Sequence, residues 1–167
     1  MITAPIYWNR FAFPAQAGQP VAISKADFES CCCNRYLPEN LYLEYRWAAP
    51  MRDLDTGTTF LGGIVGWSCG SSAPYLLWHG DNTGNGPEIV EVDVTAAHAA
   101  GLWTNSVQVL CAAGWYIPAG GSGLAALYAF FNGVIKTKII NPGQQDSCAT
   151  TPVGIITLHE NGTFELT

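Results

Sequence analysis

From about residue 40 onward the chain alternates apolar and polar positions with the two-residue period of half-buried strands. Leu41, Leu43, Tyr45 and Trp47 alternate with Tyr42, Glu44 and Arg46, and Val90, Val92 and Val94 alternate with Glu91 and Asp93. Further strands are predicted over Thr58 to Trp67, Tyr75 to His79 and Ser106 to Ala112, with Gly62 and Gly63 marking a bulge or a close approach. Thr95 to Gly101 reads as a short helical turn capped by Thr95. Two Asn-Gly pairs mark hairpins: Leu124 to Phe131 turning at Asn132-Gly133 into Val134 to Ile140, and Gly154 to Glu160 turning at Asn161-Gly162 into Thr163 to Leu166. Asn-Gly accepts positive φ at both central positions, so type I′ turns are expected at both.

The first 23 residues follow another pattern. Pro5, Pro14 and Pro20 interrupt them, while Tyr7, Trp8, Phe11 and Phe13 supply aromatic rings. Proline removes ladder donors and disfavours helix, so an extended arm is expected over 1–23. Its rings need burial, against its own domain or a neighbouring subunit, which makes these four the candidate interaction residues. Ser24 to Glu29 fits one helical turn with Ser24 as N-cap and Asp27 three residues later. About nine strands with no long helix imply an all-β fold, an antiparallel sandwich or jelly-roll-like barrel, as a single domain over 24–167. No repeat or low-complexity tract interrupts it.

Composition narrows the function classes. At 167 residues the chain can bury a core without metals or disulfides. Charged residues are 12%, about half the usual share, which fits a surface partly used in subunit contacts or one covered by uncharged polar groups. The net charge is −6 and the densest basic pair is Lys136 and Lys138, so a nucleic-acid partner is not expected. The longest apolar stretch, Gly123 to Phe131, falls short of the roughly 18 residues of a membrane helix. The N-terminus lacks the charged and apolar regions of a signal peptide. If Met1 is the native start, synthesis in a cytosol without standard export is expected.

Six cysteines, Cys31, Cys32, Cys33, Cys69, Cys111 and Cys148, leave three states open. Disulfides are one, opposed by a cytosolic start. Buried free thiols are the second. The third is a thiolate metal site, in which Cys31 and Cys33 share a strand face and Cys69, Cys111 or Cys148 complete a tetrahedron, although no C-x-x-C knuckle exists.

Gly66-Trp67-Ser68-Cys69-Gly70 matches the G-x-S-x-G nucleophile elbow, with Asp93 and His98 or His159 following in hydrolase order. The elbow needs a helix after the serine, and here Ser71, Ser72, Ala73 and Pro74 lead into another strand, so the motif reads as a β-turn. No carboxylate pair in an apolar cleft suggests acid–base catalysis, and no organic cofactor is implied. Oxygen ligands crowd the loop from Asp81 to Glu88, with Asn85 among them, which is the donor set calcium takes. Asp53 and Asp55, before Gly57, form a second acidic loop. The same residue types also build hairpin turns for backbone reasons. His79, His98 and His159 are scattered. Trp47, Trp67, Trp78, Trp103 and Trp115 lie in or beside strands, where burial is the default and an exposed sugar-stacking platform the alternative.

The cysteine cluster with Asn34-Arg35-Tyr36-Leu37-Pro38, running into the strand Leu41 to Trp47, and the closing Ser147-Cys148 before a final hairpin resemble Cys-containing β-domains of unknown function in planctomycete and phage-like proteins. The resemblance spans about residues 31 to 167, leaves the arm outside, and implies no activity and no catalytic residues. The leading expectation is therefore a non-enzymatic structural protein. It would be a phage virion component such as a capsid decoration, tail or fibre protein, self-associating and contacting other structural proteins. A carbohydrate-binding sandwich, extracellular and glycan-binding, is the alternative, and a Ser68 esterase a remote third.

Overall fold

A computed structural model describes residues 2–3, 22–23, 39–47, 53–84, 86–145, 148 and 151–167. The chain divides into two units, Met1–Leu37 and Pro38–Thr167. In the first, β1 (Ile2–Thr3) pairs antiparallel with β2 (Ala22–Ile23), Ile2 opposite Ile23. Residues near the two ends of the expected arm therefore meet as a strand pair. Tyr7, Trp8, Phe11 and Phe13, the Ser24 turn, and Cys31 to Cys33 lie outside the described residues.

The second unit is an all-β sandwich. Its strands are β3 (Leu41–Arg46), β4 (Leu54–Phe60), β5 (Gly63–Gly66), β6 (Ser72–Ala73), β7 (Leu76–Trp78), β8 (Glu88–Val92), β9 (Ser106–Tyr116), β10 (Ala125–Phe131), β11 (Val134–Ile140), β12 (Gly143–Gln145), β13 (Pro152–His159) and β14 (Phe164–Leu166). One sheet has the order β11-β10-β3-β8-β7-β6. The other runs β14-β13-β9-β4-β5, with β12 added in parallel beside β9. Sequential alternation decides what is buried. Leu41, Leu43 and Tyr45 of β3, Val90 and Val92 of β8, and Leu127, Ala129 and Phe131 of β10 face inward onto Leu54 and Phe60 of β4, Val109 of β9, and Ile156 and Leu158 of β13. Three of the five strand-associated tryptophans, Trp47, Trp103 and Trp115, belong to this core, and Trp47 meets Trp115 edge to face at 6.5 Å.

Three local expectations are corrected. The run from Thr58 to Trp67 is a hairpin, not one strand. Leu61 (φ 47°) and Gly62 (φ 83°) form a two-residue turn between β4 and β5, with Phe60 opposite Gly63. Leu61 continued the apolar run and hid the turn. The strand at residue 90 stops at Val92, because Asp93 caps α1 (Val94–Ala99) by accepting the Ala96 amide at 2.9 Å. Asp93, not Thr95, is thus the cap. The first Asn-Gly turn has both residues at positive φ, Asn132 at 51° and Gly133 at 73°. At the second only Gly162 does, and the Asn161 carboxamide oxygen accepts from the amide and hydroxyl of Thr163 in a wider turn.

Gly66 is required by contact as well as by its φ of 135°. A Cβ there would lie 1.9 Å from the Thr56 carbonyl oxygen, which also accepts the Trp67 amide. Gly62, with φ 83°, has open space around it. Replacing Gly66 by Ala is expected to cost roughly 3 kcal/mol, and Gly62 by Ala only about 1 kcal/mol of left-handed strain. Chemical denaturation of both variants checks the difference.

Candidate functional site

The chemistry-bearing residues converge where β4 begins and the loop between β7 and β8 closes. β4 is preceded by Asp53, whose carbonyl accepts the Tyr116 amide at 2.9 Å, and this extends its pairing with β9. Along an extended chain Asp53 and Asp55 project to the same side. From the other sheet, the loop 79–87 brings Asp81 to them. One carboxylate oxygen from each of the three lies within 4.8 Å of the others. Asp53 and Asp55 are buried, at 7% and 0% exposure, and Asp81 is exposed. Neither oxygen of Asp55 has a hydrogen-bond partner, nor does Oδ1 of Asp53. Among the described residues no Lys, Arg or His pairs with any of them; the ion pairs there are Arg46–Glu44, His79–Glu91 and His159–Glu165.

Behind this cluster Glu88, the first residue of β8, points into the sandwich at 0% exposure. Its Oε2 accepts the Thr56 hydroxyl from β4 and the Trp78 indole at 3.1 Å, and its Oε1 accepts the Asn82 amide at 3.4 Å. Thr58, two residues along β4, meets the Tyr45 hydroxyl at 3.0 Å, so two polar contacts cross the core side by side. The loop itself is held by the Trp47 indole donating to the Gly84 carbonyl at 2.7 Å, and by Gly86, whose missing side chain admits the Trp47 ring.

Burial and crowding of like charge move these groups. Burial lifts the Asp55 carboxyl to about 7, with Asp53 and Asp81 adding to it. Asp53 is raised for the same reason, with Asp81 as the neighbouring charge. Burial lifts Glu88 to about 8 against the lowering effect of its three donors.

The sequence marked both acidic loops separately, and the structure joins Asp53 and Asp55 to Asp81. Asn85 lies outside the described residues. Glu88 spends its carboxylate on Thr56, Trp78 and Asn82 instead of the cluster. The cysteine metal site is not formed among the described residues. Cys69 and Cys148 are joined in a disulfide with Cα atoms 5.2 Å apart, and neither offers a thiolate. Cys111 is buried on β9, where burial pushes its thiol up to about 12. Ser68 is exposed in a turn with φ 61°, followed by β6 and not by a helix. The hydrolase partners are engaged elsewhere: Asp93 caps α1, His98 packs edge-on against Trp103, and His159 lies 3.9 Å from Glu165.

No family model matches this chain, and it has no match among curated proteins or solved structures.

The raised carboxyls fix the sign of the pH dependence. Between about pH 4 and 7 for Asp55, and up to about 8 for Glu88, the folded chain holds protons that the unfolded chain has released. Stability in EDTA is therefore expected to fall as pH rises through this window, by up to about 1.4 kcal/mol per pH unit for each group. Asp55→Asn should flatten the lower part of the slope. Thermal unfolding from pH 5 to 8 measures both.

Proposed function

We propose that this chain is a structural, non-catalytic subunit that works by self-association through the outer face of the β11-β10-β3-β8-β7-β6 sheet. The observation that carries the reading is the inverted pattern of β11. The Asn132-Gly133 turn pairs Phe131 with Val134, and that register puts Ile135 and Ile139 on the outer face and Lys136 and Lys138 on the inner one. Lys136 donates to the Phe164 carbonyl at 2.6 Å and lies over the Phe164 ring. Ile135 is 56% and Ile139 64% exposed.

The pairing registers extend the patch across the sheet. One row holds Ile135, Phe130, Tyr42, Glu91 and Leu77, and the next holds Thr137, Tyr128, Glu44 and Ile89. The face mixes apolar side chains with Glu91, Glu44 and Thr137, and exposed apolar groups such as Ile135, Ile139, Tyr42 and Leu77 on it support the association reading. The sheet edges argue against association through strand addition. Inward lysines protect β11, and β6 at the opposite edge has two residues. A second copy presenting the same patch about a two-fold axis satisfies both faces at once.

A virion role, as capsid decoration, tail or fibre protein, is carried in the same proposal by the low surface charge and the all-β body. The Cys69–Cys148 bridge supports residence in oxidising surroundings, as outside a cell. A glycan-binding reading rests on the same face, where Tyr42 is exposed beside Phe130 and Phe130 stacks with Tyr128.

Size-exclusion chromatography with light scattering is expected to give a dimer or higher oligomer. An Ile135→Glu, Ile139→Glu double variant should be monomeric and still folded, with its thermal midpoint lowered only by the loss of association and no longer dependent on protein concentration. A wild-type monomer at high protein concentration would remove the association reading. A monomer that binds a glycan array, with binding lost in Tyr42→Ala, would replace it with the sugar-binding one.

A further inference from the structure

We propose that Asp53, Asp55 and Asp81 bind a hard divalent cation of the calcium class, which ties the loop 79–87 to β4. The proposal is independent of the association face. The spacing suits one ion. Two oxygens on opposite sides of a calcium ion stand about 4.6–5.2 Å apart, twice the metal–oxygen distance, and the three carboxylate oxygens here all fall within 4.8 Å of one another.

Acidic residues often gather without a ligand, and a second observation separates this group from such clusters. Asp55 is fully buried beside the other two carboxylates, and both its oxygens lack any hydrogen-bond donor. Asp53, at 7% exposure, leaves Oδ1 without a partner as well. Buried carboxylates are normally supplied with donors or an opposite charge, because an unpaired buried charge is costly. Glu88 shows the usual provision in this same chain, with three donors on its two oxygens. The cluster beside it has none of these, and among the described residues no basic side chain approaches it.

The donor set selects the ion. Carboxylate oxygens without sulfur or imidazole suit hard cations. Asp81 is exposed, which gives an entry path and room for coordinating water. Two ligands come from one strand and the third from a loop, an irregular set that the flexible coordination of calcium accepts more readily than the strict octahedron of magnesium. Because the ligands come from β4 of one sheet and the β7–β8 loop of the other, a bound ion links the layers and stabilises the folded chain.

Isothermal titration of the EDTA-stripped full chain with CaCl2 tests the site, with thermal unfolding alongside. One saturable site per chain and a raised thermal midpoint are expected, with a weaker response to MgCl2. Asp81→Asn, at an exposed position that leaves the fold intact, should weaken CaCl2 binding at least tenfold. Asp55→Asn should abolish it while leaving the midpoint in EDTA no lower than that of the wild type. If Asp55→Asn fails to fold, Asp81→Asn decides. A folded wild-type chain with no saturable response up to millimolar CaCl2 would overturn the proposal. So would variants that bind as tightly as the wild type, since the ions would then be sitting on other surface carboxylates.

Discussion

The Glu88 carboxyl organises one end of the sandwich. A carboxyl at 0% exposure must find its donors inside the protein, and Glu88 finds them on three elements: Thr56 from the opposite sheet, Trp78 from the neighbouring strand, and the Asn82 amide from the loop. Each contact fixes something different. Thr56 sets the alignment of β4 against β8. Trp78 closes the β7–β8 pair, and Asn82 folds the loop back so that Asp81 arrives beside Asp53 and Asp55. With the Tyr45–Thr58 contact, a short polar seam crosses a largely apolar core. Such seams cost desolvation and define one alignment, since a one-residue slip of either sheet would leave the carboxyl without donors.

Much of this architecture was legible in the chain, because alternation reports which residues share a face. The inward set of β3 and most of β8, and the hairpin at Asn132-Gly133, follow from period and turn chemistry alone. Alternation says nothing about which face is inward when both are apolar at an edge. In β11 the apolar Ile135 and Ile139 face outward while Lys136 and Lys138 face inward, and only the turn register shows this. Leu61 hid a turn for a related reason, since a leucine at positive φ carries no local signal. The capping role of Asp93 was masked by its place in an alternating run.

The candidate site was half legible. Asp53, Asp55 and Asp81 each stood out as oxygen-rich loop residues, but their meeting depends on the order of strands in two sheets, which local pattern does not encode. Glu88 was grouped with Asp81 by proximity in sequence, and strand parity turned it inward, away from the cluster. The disulfide between Cys69 and Cys148, 79 residues apart, is equally non-local. Closing a loop of that length removes unfolded-chain entropy worth roughly 4 kcal/mol in the chain-entropy picture. It fastens the turn after β5 to the segment before β13.

The sandwich thus keeps apart the outer face proposed for association and the end where buried carboxyls gather. Everything at that end depends on Glu88 being sealed from water and fully bonded. Carboxyl carbon-13 NMR of the EDTA-treated chain, followed from pH 3 to 10, reads this directly. Glu88 should titrate near 8, and the Asn82 amide should shift with the same midpoint. A Glu88 midpoint near the ordinary 4.5, with the Asn82 amide unmoved, would mean that water reaches the carboxyl and the loop is held by something else.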